Sequence, residues 1–246
     1  MASVRLLPPF NYETLEGNQI RVLTLLPGPE SDPICCEFHI VSRIAAASSF
    51  SALSYCWGSE PRILETIVIS RVVIDDGVVG NKVVSSSCDR RLPVWPNLYH
   101  ALVALRRASQ EPQRLWIDAV CINQSCLLEK KNQIRHMSQI YISALNVIIW
   151  LGEAGGESDF VMDSISNGSV NNFTTQRFML GTIAIFARPW FQRTWIVQEF
   201  VLNQAAPLIA CGCKRMITWE DFKRAYIAAF PFGQLGPSSL TQSLRN

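Results

Sequence analysis

An aromatic residue and an acid lie four positions apart in the last third of the chain, at Trp195 and Glu199. Apolar residues recur at helical spacing over residues 188–202, so the two side chains would share one helix face, about 6 Å apart along the axis. On that face the indole would shield the carboxylate from water, which strengthens its electrostatic effect and raises its pKa. Such a carboxylate can stabilise a developing positive charge. The alternative is that Trp195 packs in the core while Glu199 is a surface charge or pairs with Arg193.

A second group of candidates follows a short apolar run at residues 51–56, which is predicted to be the first central strand. Tyr55, Trp57 and Gly58 would lie at the carboxyl end of that strand. There an aromatic face can stack on a planar ring, and a glycine lets a ligand approach the backbone. The alternative is a packed aromatic corner, because rings are more often part of a core than of a binding platform.

A third group of polar candidates comes at the end of the second predicted strand, residues 114–120. Asp118, Asn123 and Gln124 could hold sugar hydroxyls, or they could cap the loop and the helix that follows it. Arg188 and Arg193 flank a predicted helix start and could meet a pyrophosphate there, although the sequence favours a solvated surface cation for Arg188. The usual glycine-rich phosphate-binding motifs of dinucleotide and nucleoside triphosphate sites are absent from the sequence.

The elements that must position these residues alternate between strands and helices. Further strands are predicted at residues 146–151 and 207–211, and helices at 97–108, 129–144, 178–186 and 188–202. In the second of these helices, the inward residues are predicted to be Ile134, Met137, Ile140 and Tyr141. The apolar runs at residues 20–26 and 34–41 predict an N-terminal β-hairpin or an edge pair, residues 59–96 a β insertion, and 152–175 a flexible connection. This order predicts an α/β fold with a parallel central sheet and sites at the carboxyl ends of its strands.

Composition excludes several classes of function. The 22 Lys and Arg residues nearly balance the 20 Asp and Glu, so charge favours neither nucleic acid nor an anionic membrane as a partner. No apolar run reaches the length of a membrane span, and the N-terminus lacks a secretory h-region, which predicts a cytoplasmic protein with reduced thiols. The histidines and cysteines lack zinc-site spacing, so no metal is expected.

Three long stretches resemble the fungal heterokaryon incompatibility (HET) domain: ALSYCWG at residues 52–58, LWIDAVCINQ at 115–124 and RTWIVQE at 193–199. Glu129 and the Trp150-Leu151-Gly152 turn occur between them in the family's order, and the resemblance covers roughly residues 12–211. It implies a cell-death effector of vegetative incompatibility and innate immunity, which a recognition partner or self-association would trigger.

The order of elements is also similar to that of TIR domains, with Ser54-Tyr55 ending the first strand, Ile117-Asp118 ending the second, and Trp195 and Glu199 on a later helix. This similarity implies a flavodoxin-like three-layer domain. Enzymatically active TIR domains cleave the bond between nicotinamide and ribose in NAD+, so the resemblance implies that Glu199 is catalytic. The other candidates, namely Tyr55, Trp57, Gly58, Asp118, Asn123, Gln124, Arg193 and Trp195, would bind the NAD+ substrate.

The chemistry of this cleavage requires little from the protein. Nicotinamide leaves as a neutral base from a cationic precursor, so the general acid of ordinary glycosidases is dispensable. One carboxylate can then stabilise the oxocarbenium-like ribose through charge and hydrogen bonds that strengthen as the bond breaks. The alternative function is a non-enzymatic module that signals by self-association, as signalling TIR domains do.

The predicted domain spans residues 1–230, with its core at 48–213 and the β insertion at about 59–96. A Gly-, Pro- and Ser-rich tail, residues 231–246, ends without a helix cap, which is compatible with a chain that forms part of a longer protein.

Overall fold

The computed structural model describes residues 4–58, 63–75, 82–86, 89–193, 207–212 and 216–230. Over these residues the chain forms an α/β structure around one mixed sheet of ten strands. The strands are β1 Gln19–Leu25, β2 Cys35–Ser42, β3 Ser51–Tyr55, β4 Glu65–Asp75, β5 Lys82–Ser86, β6 Arg90–Val94, β7 Gln113–Trp116, β8 Asn146–Trp150, β9 Leu208–Ala210 and β10 Ile217–Thr218. The helices are α1 Pro96–Ala108, α2 Asp118–Cys121, α3 Leu127–Ser143, α4 Ser158–Ser166, α5 Gln176–Phe186 and α6 Trp219–Ala229, with short 3₁₀ turns at Val4–Leu6, Val170–Asn172 and Pro189–Gln192.

The four strands predicted as central, β3, β7, β8 and β9, are parallel neighbours in the order β7-β3-β8-β9. Numbered along the chain, this order is second, first, third, fourth. Burial explains why these segments are strands: the interior of β8 is fully buried and β3 is buried after its first residue. Such continuous apolar runs are typical of parallel strands that are covered on both faces. The carboxyl ends of the four strands therefore meet at one edge of the sheet.

The N-terminal hairpin is confirmed, since β1 and β2 pair antiparallel over seven residues, but it is not an edge of the sheet. β1 also pairs with β7, and β2 pairs in parallel with β4. The cause is visible in β1, where all residues after the first are buried, as expected of an interior strand. The insertion likewise adds β4, β5 and β6 to the same sheet.

Three sequence-based expectations are wrong in detail. The second central strand ends at Trp116, and Asp118–Cys121 forms a helical turn because the chain reverses there toward α3. The predicted flexible connection contains α4, whose Val161, Met162 and Ile165 are buried. In α3, Ile140 and Tyr141 are buried as predicted and Met137 is partly buried, but Gln133 is buried where Ile134, which is 44% exposed, was expected to be. The Gln133 side-chain amide can be buried because it donates to the backbone oxygen of Gln19 at 2.9 Å.

The remaining predicted elements agree with the structure to within a few residues, namely α1, α5, β8 and β9. The segment predicted as a helix at 188–202 begins with a 3₁₀ turn, Pro189–Gln192, and residues 194–202 lie outside the described part of the chain. No helix among the described residues combines the length and apolar character needed to cross a bilayer.

Candidate active site

The strand order reverses between β3 and β8, because the chain first moves from β3 to β7 and then returns to the other side of β3. Ligands of open α/β sheets commonly bind at such a switch point. Here side chains tie the two strand ends together. The Asn97 amide donates to the Cys56 backbone oxygen at 2.5 Å, and its Oδ1 accepts from the Trp150 indole at 2.9 Å. The Trp190 indole donates to Ser54 Oγ at 2.8 Å, so a second buried side chain is hydrogen-bonded to the end of β3.

A candidate ligand site lies above β3 and β7, around the indole of Trp57. That indole Nε1 donates to both carboxylate oxygens of Asp118, at 3.2 Å each. Its ring meets Trp95 edge-on, with centroids 5.8 Å apart. Gly58 then turns the chain away with φ +92°, a conformation that other residues rarely adopt, which explains the glycine at this position.

Gln124 and Asn123 reach this site from the loop between α2 and α3. The Gln124 Nε2 donates to the Asp118 backbone oxygen at 2.9 Å, while its Oε1 is buried and has no hydrogen-bond partner in the described part of the chain. The Asn123 Oδ1 accepts from the Ser125 backbone N–H at 3.1 Å, which is the loop-capping role that was the alternative for this residue. Gln124 is therefore held in place with one acceptor left over.

Two cavities flank the Trp57 indole. The first, the aromatic cavity, has a volume of about 310 Å³ and includes aromatic and aliphatic side chains from β3, β6 and α1. Its walls include Tyr55, Trp57, Leu92, Trp95, Leu98 and Gln124. The second, the charged cavity, has a volume of about 180 Å³ and is lined by Trp57, Asp118, Gln124, Lys130, Arg193 and three apolar residues of the α2–α3 region. Trp57 and Gln124 border both cavities.

The charged cavity takes its name from three side chains that border it, Asp118, Lys130 and Arg193, while the rest of its exposed lining is mostly apolar. Burial raises the pKa of the Tyr55 phenol well above its usual value, and the Asp118 carboxylate raises it further, while the Arg193 guanidinium opposes the shift. Tyr55 is thus a neutral phenol at physiological pH, and both Asp118 and Arg193 act on it electrostatically. The structure therefore brings together Tyr55, Trp57, Asp118, Gln124 and Arg193, which came from three separate segments of the sequence.

A buried ion pair supports this site from below, and sequence reasoning missed it. Arg21, only 1% exposed in the middle of β1, bonds both carboxylate oxygens of Glu129 at 2.5 and 3.0 Å. The same guanidinium donates to the Cys121 backbone oxygen at 3.0 Å, and Glu129 accepts from the Asn123 backbone N–H at 2.7 Å. Glu129 thus holds the 121–123 loop on the sheet rather than only favouring the N-terminus of α3. The signal in the sequence was an arginine inside an otherwise apolar strand.

Arg188 lies elsewhere. Its guanidinium donates to the backbone oxygens of Leu151, Glu153 and Gly155 and to Ser158 Oγ, at 2.7 to 3.3 Å. Four protein acceptors fix the loop after β8, so this residue has a structural role here and is not the solvated surface cation that the sequence favoured.

Cys121, at the end of α2 below the site, lacks the properties of a nucleophile. Cys121 is 1% exposed, and burial raises its pKa to about 12. Its thiol is therefore protonated at physiological pH, and a thiolate is the reactive form. Among the described residues, no group of three or more His, Cys, Asp or Glu side chains is arranged to hold a metal ion.

Glu199 and Trp195, the candidate catalytic pair, lie outside the described residues. Arg193, the last residue described before them, borders the charged cavity. Their positions relative to the cavities therefore stay predictions.

The fold and the site define an α/β domain with an aromatic and acidic pocket above the carboxyl ends of parallel strands. The chain belongs to the heterokaryon incompatibility protein (HET) family, whose members it matches over residues 50–199. It is 30% identical to the heterokaryon incompatibility protein 6, OR allele, of Neurospora crassa, over 89% of this chain. The chain spans 38% of that relative's length. No solved structure matches it.

Proposed function

We propose that this chain is a cell-death effector domain of fungal heterokaryon incompatibility and innate immunity, and that it hydrolyses cytoplasmic NAD+ at the nicotinamide–ribose bond. Family membership and the name of the Neurospora crassa relative support the first part. The second part rests on one observation: an aromatic cavity and a cation-bearing cavity share Trp57, whose indole donates to the Asp118 carboxylate in the wall of the second cavity.

The two cavities differ in the way that the parts of NAD+ differ. Aromatic and aliphatic walls suit a planar base, which gains from ring contacts and from leaving water. Lys130 and Arg193 supply positive charge in the charged cavity, as a pyrophosphate requires. Asp118 lines the charged cavity and accepts from Trp57, which borders both cavities, so the ribose that joins base and phosphate would pass beside it. Its carboxylate can accept hydrogen bonds from ribose hydroxyls while the Trp57 indole holds it in place.

The sheet supports the same proposal. We propose a flavodoxin-like, TIR-like core, because the four parallel strands run in the order second, first, third, fourth, the start of the flavodoxin-like order. In this arrangement, the segments after β3 and β7 bring Trp57 and Asp118 to one edge. Arg193 borders the charged cavity at that edge, and Glu199 follows Arg193 by six residues. The catalytic carboxylate would therefore approach the site from the motif at residues 193–199.

The reaction would proceed with a single carboxylate. As the bond to nicotinamide lengthens, positive charge develops on the ribose. The Glu199 carboxylate would stabilise this transition state more strongly than it stabilises the bound substrate. Nicotinamide departs as a neutral base with the electron pair of the broken bond, and water from solution adds to the ribose cation and releases one proton to solvent.

The test is release of nicotinamide from NAD+ by the purified full chain, for the wild type, Glu199→Gln and Glu220→Gln. Glu220, an exposed residue in the first turn of α6, is the matched control because it undergoes the same chemical change away from the cavities. We expect Glu199→Gln to lose at least about a hundredfold in kcat with the fold retained, and Glu220→Gln to stay within about twofold. Equal turnover by the two variants would remove Glu199 from the mechanism.

A non-enzymatic module that self-associates is the second candidate function. Leu127 and Leu128, at the start of α3, are 82% and 80% exposed. Two consecutive exposed leucines favour contact with another protein surface. This candidate predicts cell death that is independent of Glu199 and precedes any fall in cellular NAD+. Expression of the wild type and Glu199→Gln in cells, with NAD+ measured before death, separates the two candidates.

A further inference from the structure

Gln124 lines the aromatic cavity and carries one polar atom that the proposed function leaves unused. Gln124 Oε1 is buried and has no hydrogen-bond partner among the described residues, although the Nε2 of the same amide is fixed on the Asp118 backbone oxygen at 2.9 Å. An unsatisfied buried acceptor is uncommon in native proteins, because it forgoes a hydrogen bond that water would have supplied. The amide cannot flip to satisfy this oxygen without losing its bond to Asp118. Gln124 is thus oriented to accept one further hydrogen bond.

The surroundings of this acceptor restrict the donor that can reach it. Tyr55, Trp57 and Trp95 contribute rings to the cavity, and Leu92 and Leu98 contribute aliphatic surface. The volume of about 310 Å³ lies at the lower end of the range of about 300–1,000 Å³ for small-molecule sites. A single planar base therefore fits this cavity better than a whole dinucleotide. To pair with the oxygen of Gln124, that base must carry an N–H donor.

We infer that the aromatic cavity is the base subsite and that Gln124 is its specificity-determining residue, which accepts a hydrogen bond from the amide NH₂ of nicotinamide. This inference rests on the proposed function and adds a role to Gln124 that differs from holding ribose. Adenine also carries an NH₂ group, so the shared chemistry is a planar ring with an amino donor. Nicotinamide is assigned because the Asp118 carboxylate, which lines the neighbouring charged cavity, accepts from the indole of Trp57, a residue that borders both cavities. A ribose that leaves the aromatic cavity past Trp57 would meet this carboxylate.

Two analogues of NAD+ separate these donors. In the 3-acetylpyridine analogue a methyl group replaces the NH₂ of nicotinamide, and in the hypoxanthine analogue an oxygen replaces the NH₂ of adenine. We expect the wild type to prefer NAD+ over the 3-acetylpyridine analogue in kcat/KM by about tenfold or more, because a site built to pair a donor rejects a ligand that lacks it. The hypoxanthine analogue should be cleaved to within about threefold of NAD+.

The matched variants are Gln124→Leu and Gln113→Leu. The Gln113 amide also donates to a backbone oxygen, that of Leu105 at 2.7 Å, but it lies at the amino end of β7, away from the cavity. In Gln124→Leu the preference for NAD+ over the 3-acetylpyridine analogue should disappear, to within about twofold of the difference in intrinsic reactivity between the two substrates. Gln113→Leu should keep the wild-type preference. A preference that is the same in both variants overturns the inference, as does a Gln124-dependent preference against the hypoxanthine analogue.

A binding measurement keeps the two proposals apart. Free nicotinamide and free 3-acetylpyridine are titrated against the tryptophan fluorescence of the wild type and both variants, with no cleavage required. Tighter binding of nicotinamide, by about tenfold, that is lost only in Gln124→Leu supports the subsite even if no variant cleaves NAD+, in which case the hydrolase proposal alone fails. Equal binding of the two bases to the wild type overturns the subsite, whether or not NAD+ is cleaved. Because the wild-type comparison needs no substitution, it stands even if Gln124→Leu does not fold.

Discussion

Arg21 and Glu129 show how a single residue inside the sheet can govern the position of a loop at the candidate site. Both oxygens of the Glu129 carboxylate pair with the guanidinium, and one also accepts from the Asn123 backbone. Removal of one partner from such a buried pair leaves an uncompensated charge, which costs about 3–5 kcal/mol. Replacement of both partners by apolar residues is expected to cost much less.

We therefore predict that Glu129→Gln lowers the free energy of unfolding by about 3 kcal/mol or more, and that Arg21→Met combined with Glu129→Leu recovers most of this loss. Urea denaturation of the purified chain measures both values. The control is Arg224→Ala, which removes the exposed ion pair with Asp221 and should change stability by about 0.5 kcal/mol or less. A similar cost for Glu129→Gln and Arg224→Ala would contradict the role given to the buried pair.

At the scale of elements, α6 begins with a hydrogen-bonded cap whose strength depends on pH. Thr218 Oγ1 accepts from the Asp221 backbone N–H at 3.0 Å, and the same hydroxyl donates to the Asp221 carboxylate at 2.6 Å. The hydrogen bond from Thr218 and the neighbouring Arg224 lower the pKa of Asp221. Because the folded pKa is depressed, this contribution to stability is present above the unfolded pKa and is lost as pH falls through the folded pKa.

We predict that Thr218→Ala costs about 1 kcal/mol at pH 7, from loss of the cap, and that the difference from the wild type narrows as pH falls below about 4. Chemical denaturation at several pH values measures this difference. Thr175→Ala, at the N-cap of α5, is the control: its Oγ1 accepts from the Phe178 backbone N–H without an acidic partner in α5's first turn. Its cost should vary less with pH, and equal narrowing in both variants would contradict the link to Asp221.

The same cap indicates what sequence reasoning could and could not find among the elements. A Thr followed three residues later by Asp is a helix-start signature, so α6 was predictable, yet it was not predicted. α4 was harder to find, because its start follows a glycine-rich stretch that also fits a loop. The parallel strands were predictable because they are continuous apolar runs. The pairing of these strands with β1, β2 and β4 was not predictable, because the sequence of a strand contains little information about which strand lies beside it.

At the scale of the whole molecule, the candidate site was predicted as separate motifs and its architecture was not. Trp57 and Asp118 were identified on the residues themselves, but the hydrogen bond between them depends on the parallel pairing of β3 with β7. Trp95 was missed altogether. It reaches the aromatic cavity only because β4 pairs with β2, which brings the whole insertion into the main sheet. Pairings between distant segments are set by packing that no local pattern reports.

This continuous sheet predicts that its N-terminal half (β1, β2, β4, β5 and β6) and its central half (β7, β3, β8 and β9) unfold together. Cys36 is buried in β2, in the N-terminal half, and Cys211 is buried directly after β9, at the far side of the central half. Burial raises the pKa of both thiols, so they should react with a thiol reagent only when their region opens. The β1–β7 pairing and the Arg21–Glu129 pair both cross between the halves, which couples the two halves.

Pulsed labelling across a urea gradient, with mass spectrometry of each cysteine peptide, should give one unfolding midpoint for Cys36 and Cys211 in the wild type. In Glu129→Gln both midpoints should fall together, whereas labelling of one cysteine while the other stays protected would show two units and contradict the prediction.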